Sequence, residues 1–314
     1  MTSRNQQPGY YPYGHPLHAP APVTARIDDV ALVFEGGGMR GAYTGALVRA
    51  LLEEGLEFGW VGGISAGGTN AVNMVTRDTW RAREAYLGMP LLGDAGGWGS
   101  FARGRGYFNS DRIYHHTSAE DEEMPVDWPA LEASDVELVL GAFRCDTGEQ
   151  VYFHRSDMPT PAELLLRAQA SASMPLLMPV VEIDGAPYLD GALGPGGGFA
   201  VDAALADGYE RLLVISTRPA GYRKPEEKRP EVYRRLLRQY PAAAEALIEC
   251  PRPYNTTLED LERRCAEGSA YLYCPDRMDI ANGELRYDRL TTAFEAGLAQ
   301  AKREMPAIKA FLGL

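Results

Sequence analysis

Short apolar runs alternate along the chain with stretches of helical periodicity, and glycines mark most of the junctions between them. Val30-Ala-Leu-Val-Phe34 is an unbroken apolar run rich in β-branched residues, the pattern of a strand covered on both faces. Three glycines end it. The next residues place Ala42, Ala46, Leu47, Ala50 and Leu51 at helical spacing, and Gly55 stops the run. The apolar piece Phe58 to Val61 predicts a second strand, Gly63-Ile64-Ser65-Ala66-Gly67 a sharp turn, and the small residues from Thr69 to Thr76 a second helix. Two successive units of this kind predict an α/β fold, with a mostly parallel sheet and helices on both of its faces.

Between residues 88 and 128 the periodicity weakens among glycines, scattered aromatics and an acidic run. A long irregular segment inside a compact domain is usually functional, so it is a candidate lid. Val136 to His154 reads as a hairpin turning at Asp146-Thr147-Gly148, and Pro159 to Met174 as a helix with Pro161 in its first turn. The two Asp-Gly pairs that follow differ in setting. Asp184-Gly185 separates two short apolar runs, as in a two-residue hairpin turn, whereas Asp190-Gly191 follows the second run, where a sheet delivers side chains to a site. A helix near Val201 to Gly208 and a strand near Arg211 to Thr217 come next. The remainder is charged and helical, with an amphipathic helix near Thr291 to Lys302. The expected organisation is a disordered arm over 1–28, rich in Pro, Gly and Tyr, a catalytic domain over 29–217, and a helical C-terminal part over 218–314 packed on the same domain.

Composition narrows the function. With 45% hydrophobic and 24% charged residues the chain is ordinarily globular, and its net charge of −12 disfavours a nucleic-acid partner. Cys145, Cys250, Cys265 and Cys274 show no metal-ligand spacing and read as free thiols of a reducing, cytoplasmic compartment. No apolar run approaches the roughly 20 residues that span a bilayer. A local excess of positive charge between Arg218 and Arg238 could hold the protein peripherally against an anionic membrane, or simply be a solvated face.

Gly63-x-Ser65-x-Gly67, set between a strand and a helix, has the form of a nucleophile elbow, in which small neighbours let a strained turn lift the serine clear of the sheet. Gly36-Gly37-Gly38-Met39-Arg40-Gly41 matches the dinucleotide pattern GxGxxG, with Glu57 near the place of a ribose-binding acid. That is the NAD(P)-binding oxidoreductase reading. A glycine turn beside a serine elbow serves an ester hydrolase better, because its main-chain amides can approach a developing oxyanion. The serine needs a base. His15 and His18 lie in the arm, His115 and His116 in the irregular segment, and His154 just past the first hairpin. His115, His116 and His154 stay open, but Asp190, at a strand end before the small residues Gly191 and Ala192, is the better candidate.

In the order GGGMRG, GISAG and DGA, with Ala170-Ser-Ala-Ser-Met-Pro175 before the last strand pair and the Val201 to Gly208 helix after it, the chain resembles the patatin-like phospholipases, a family of lipid acyl hydrolases. The resemblance covers residues 30 to 217. It implies a three-layer α/β/α fold, a Ser65–Asp190 dyad without histidine, and an oxyanion hole formed by the amides around Gly37, Gly38 and Met39. It also implies a lipid ester substrate, with neither metal nor organic cofactor required. A catalytically weak lipid-binding or regulatory protein on the same fold is the main alternative.

Overall fold

A computed structural model describes residues 20–119 and 122–314. Strands β1 (Ala25–Ile27) and β2 (Val30–Phe34) lead to helix α1 (Gly41–Glu53), and β3 (Leu56–Phe58) and β4 (Trp60–Ile64) to α2 (Ala66–Val75). The helices α3 (Arg81–Leu87), α4 (Trp98–Ala102), α5 (Ser110–His115) and α6 (Trp128–Ala133) follow. Then come β5 (Glu137–Arg144), β6 (Gln150–Phe153), α7 (Pro161–Ala172), β7 (Val181–Ile183), β8 (Ala186–Asp190), α8 (Val201–Ala206) and β9 (Arg211–Ile215). The C-terminal part adds α9 (Pro230–Leu236), α10 (Pro241–Glu249), α11 (Pro251–Glu267), β10 (Ala270–Tyr273) and α12 (Tyr287–Leu312).

The main sheet has the order β10-β9-β2-β4-β5-β8-β7, and β6 pairs separately with β5. Its first five strands are parallel, while β8, β7 and β6 join antiparallel. The apolar run of β2 is buried throughout because both faces are covered. Val30, Leu32 and Phe34 pack in one layer with Leu47 and Leu51 of α1 and Val72 of α2. Ala31 and Val33 pack in the other, with Ala203 and Ala204 of α8 and Leu258 and Leu261 of α11. The result is a three-layer α/β/α protein with a mostly parallel central sheet and C-terminal helices.

Several local expectations hold. At Asp184 and Gly185 the backbone turns with φ of 51° and 77°, the left-handed pair that a two-residue hairpin between β7 and β8 requires. Pro161 opens α7 as expected, and the Thr160 hydroxyl before it caps the helix by accepting the Glu163 amide at 3.3 Å.

Three expectations need correction. Residues 1–19, with His15 and His18, lie outside the described residues, but the end of the expected arm is ordered: β1 pairs in parallel with β3 as a separate small sheet. The C-terminal part is not wholly helical, since β10 pairs with β9 and completes one edge of the main sheet. Leu56 to Ile64 is two strands rather than one, because Gly59 interrupts the run to accept the Glu137 amide at its carbonyl. Among the described residues no helix is long and apolar enough to cross a membrane.

Candidate active site

Strand β4 ends at Ile64, and Ser65 turns the chain with φ 57° and ψ −127° before α2 begins at Ala66. A non-glycine residue is rarely found there and is kept only where its surroundings over-determine it. The two flanking glycines make the turn possible. A Cβ on Gly63 would overlap the carbonyl of Gly67, and one on Gly67 the carbonyl of Phe34. Ile64 is fully buried and packs against Gly141 and Gly191. Ser65 itself is 6% exposed and stands at the N-terminus of α2, where the helix dipole favours developing negative charge.

Asp190 is the last residue of β8, and antiparallel pairing of β8 with β5 sets it beside Ala142, two strands from the elbow. Its carboxylate accepts the Ala192 amide at 2.9 Å and interacts with the Ser65 hydroxyl. Burial raises its pKa from 3.8 to about 6, against the opposing pull of the Ala192 and Ser65 hydrogen bonds and the charge of Lys224. Gly191 lies against the Gly141 backbone, where a Cβ would overlap the Gly141 carbonyl.

Gly36 packs directly on Ser65, which puts the glycine turn on the serine. Its amides are not equivalent. That of Gly36 donates to Gly198 at 3.1 Å, Met39 to Asn282 at 2.9 Å and Arg40 to Gly37 at 3.2 Å, while Gly41 donates to the carbonyls of Gly38 and Met39. Among the described residues, only the Gly37 and Gly38 amides of this turn lack an acceptor. Of the six amides from Gly36 to Gly41, two are therefore free, and that of Met39 is taken up by Asn282. Gly38 has φ +55°, and a Cβ there would overlap the Asn282 carbonyl. Arg40 is 8% exposed, and its side chain makes one hydrogen bond, to the Thr217 hydroxyl at 3.4 Å.

Ser65 opens on two cavities. One, of about 90 Å³, is apolar; Ala66, Tyr86, Phe108, Ile113, Met124 and Met178 are among its walls. Several of those residues come from the irregular 88–128 segment, which thus forms cavity wall. The other, of about 540 Å³, is the more polar of the two, although apolar side chains such as Met174, Leu177 and Leu193 make up much of its wall, and it is shared by Ser65, Asp190, the glycine turn, Arg40, Arg218 and Lys224. None of the histidines within the described residues lines either cavity. His115 meets Gln169 at 2.8 Å, His116 lies 3.6 Å from Asp111, and His154 meets Glu137 at 2.9 Å.

Three contributors were not singled out from the sequence. The hydroxyl oxygen of Ser171 accepts the Ser65 amide at 2.9 Å, and the Ser173 carbonyl accepts the Asp190 amide at 2.8 Å. Both lie in the Ala170 to Pro175 stretch that contributed to the resemblance. Glu35 is the third: it receives the Ser216 hydroxyl at 2.6 Å, the Thr217 amide at 2.5 Å and the Tyr254 hydroxyl at 3.0 Å.

A strained serine at a strand–helix turn, a buried carboxyl on its hydroxyl and a glycine turn with two free amides thus meet in one place. The patatin-like phospholipase family model matches residues 32–201, more than half of the chain, and the protein belongs to that family. A domain of unknown function, DUF6363, matches residues 240–313. No curated protein matches. Among solved structures, VipD from Legionella pneumophila is similar over 89% of this chain and 67% of its own, with 12% sequence identity and a TM-score of 0.43.

Proposed function

We propose that the protein hydrolyses carboxylic esters of lipids through an acyl-enzyme, with Ser65 as nucleophile and Asp190 as general base. The observation that carries this reading is the buried Asp190 carboxyl on the Ser65 hydroxyl, its pKa raised to about 6, so that it is ionised yet basic enough near neutral pH. The acyl chain enters the apolar cavity. Ser65 Oγ attacks the ester carbonyl carbon as its proton passes to Asp190, and the Gly37 and Gly38 amides hold the resulting oxyanion. Collapse breaks the bond to the alcohol oxygen, which takes the proton from Asp190. Water then gives a proton to Asp190 and its oxygen attacks the acyl carbon. The second collapse frees the fatty acid and returns that proton to Ser65 Oγ. No step needs another acid or base.

The test is fluorophosphonate labelling together with hydrolysis of a short neutral ester. Both should be present in the wild type and lost in Ser65→Ala. Folded wild-type protein that neither labels nor hydrolyses would instead be the lipid-binding or regulatory member of the fold.

The same reading includes peripheral contact with anionic bilayers. Val232 and Leu236 of α9 are 47% and 59% exposed, next to Tyr233 at the rim of the polar cavity. Lys228, Arg229, Arg235 and Arg238 around them have no ion pair among the described residues. Co-sedimentation with phosphatidylserine vesicles, lost in Val232→Asp/Leu236→Asp, tests it.

A further inference from the structure

The polar cavity has a charge pattern that ester hydrolysis alone does not require. Arg40, Arg218 and Lys224 converge on it, and none of them forms an ion pair among the described residues of an otherwise acidic protein. They are close enough to repel: Arg218 and Lys224 each interact unfavourably with Arg40. Their other partners are weak. Arg40 has its one long hydrogen bond to Thr217, Arg218 stacks 4.4 Å over Tyr222, and the Lys224 ammonium sits 4.1 Å over Tyr254. The two carboxylates of the cavity, Glu35 and Asp190, attract Arg40 and Lys224 but pair with none of the three cations, which outnumber them. Both oxygens of Glu35 are taken up by Ser216, Thr217 and Tyr254, and Asp190 is engaged by Ser65 and Ala192.

Three converging cations with spare donors, Arg40 buried and Arg218 and Lys224 partly so, offer a multi-oxygen anion several hydrogen bonds, and guanidinium groups match phosphate oxygens two at a time. Ser65 lies between this cavity and the apolar one, so an ester bound with its acyl chain on one side directs its alcohol part to the cations. A quaternary ammonium or primary amine attached to that phosphate would find no free carboxylate there and would face Arg218 and Lys224.

We propose that Arg40, Arg218 and Lys224 form a specificity subsite for a phosphate on the leaving alcohol, selecting acyl glycerophosphates whose phosphate has no cationic cap over zwitterionic lipids. This rests on the Ser65 hydrolase reading for its orientation, but the binding can be tested without turnover. Short-chain ether analogues, which cannot be hydrolysed, provide the probes: 1-alkyl-glycerol 3-phosphate, its phosphocholine counterpart and unphosphorylated 1-alkyl-glycerol, titrated calorimetrically into the full-length protein. The first should bind at least about tenfold tighter than the other two, and Arg218→Gln and Lys224→Met should each remove about tenfold of that advantage. Equal affinity for all three probes, or an advantage that both variants leave intact, would overturn the subsite. Inorganic phosphate should compete only at far higher concentration. If it binds as tightly as the ether phosphate, the cavity is a free-phosphate site and the substrate class is wrong. Selective binding without hydrolysis of a neutral ester would retain the anion subsite and remove the Ser65 chemistry instead.

Discussion

The Ser65 amide donates to the Ser171 hydroxyl oxygen at 2.9 Å, so a residue at the C-terminal end of α7 holds the strained elbow in place. Two residues later the Ser173 carbonyl accepts the Asp190 amide at 2.8 Å. One short stretch therefore aligns both members of the proposed dyad, which arrive from opposite sides of β5.

Ser171→Ala leaves the Ser65 amide without its acceptor while every group of the proposed reaction remains present. We expect kcat on a short neutral ester to fall about tenfold with little change in KM, the size of one lost buried hydrogen bond. Steady-state kinetics checks this, and Ser171→Thr, which keeps the hydroxyl, should recover most of the loss.

Asp190 acts as a base only when ionised, and its pKa is raised to about 6. The rate constant kcat/KM should therefore rise tenfold per pH unit below about 6 and level off above it. A profile still falling towards acid from pH 7 to 8, as an unshifted amine or thiol would give, would count against this assignment.

The same shift has a cost in stability. Between an ordinary aspartate's 3.8 and about 6, the folded protein keeps a proton on Asp190 that the unfolded chain has released, so stability falls as pH rises through that window. Above it, the buried charge costs on the order of 3 kcal/mol, at 1.36 kcal/mol per unit of pKa shift. Asp190→Asn should consequently be inactive yet melt several degrees higher than the wild type at pH 8, with the difference shrinking towards pH 4, as read by calorimetry.

Gly38→Ala places a methyl group on the Asn282 carbonyl at a backbone φ of +55°. The turn must move, and the Gly38 amide moves with it. The expected loss is about 10²- to 10³-fold in kcat, the range for removing one oxyanion donor, with substrate binding largely kept. If the variant folds and retains full kcat, Gly38 does not serve the oxyanion.

The parts of the site that could be read from the sequence are those written locally. Gly63, Ser65 and Gly67 encode their turn within five residues, and Asp184-Gly185 is told from Asp190-Gly191 by what flanks each pair. What escaped depends on pairing across the fold. β10 is four residues long and gains its identity only from register against β9; β1 similarly needs β3. The 218–238 segment shows its positive charge in the sequence but not its direction. Arg223 pairs with Glu262, Arg234 with Glu231 and Glu245, and Arg218 and Lys224 face inward. Likewise, six residues of glycine turn carry six amides: those of Arg40 and Gly41 find acceptors within the turn, but those of Gly36 and Met39 are occupied only because the fold brings Gly198 and Asn282 to them.

The Met39 amide, inside the region matched by the patatin-like model, donates to the Asn282 carbonyl, inside the region matched by DUF6363. A recombination event with its crossover between residues 201 and 240 would thus hand a descendant the elbow and the aspartate without the brace that shapes its glycine turn. Chimeras that join this N-terminal half to a foreign C-terminal third should therefore hydrolyse a short ester only where the donor brings an equivalent carbonyl to Met39.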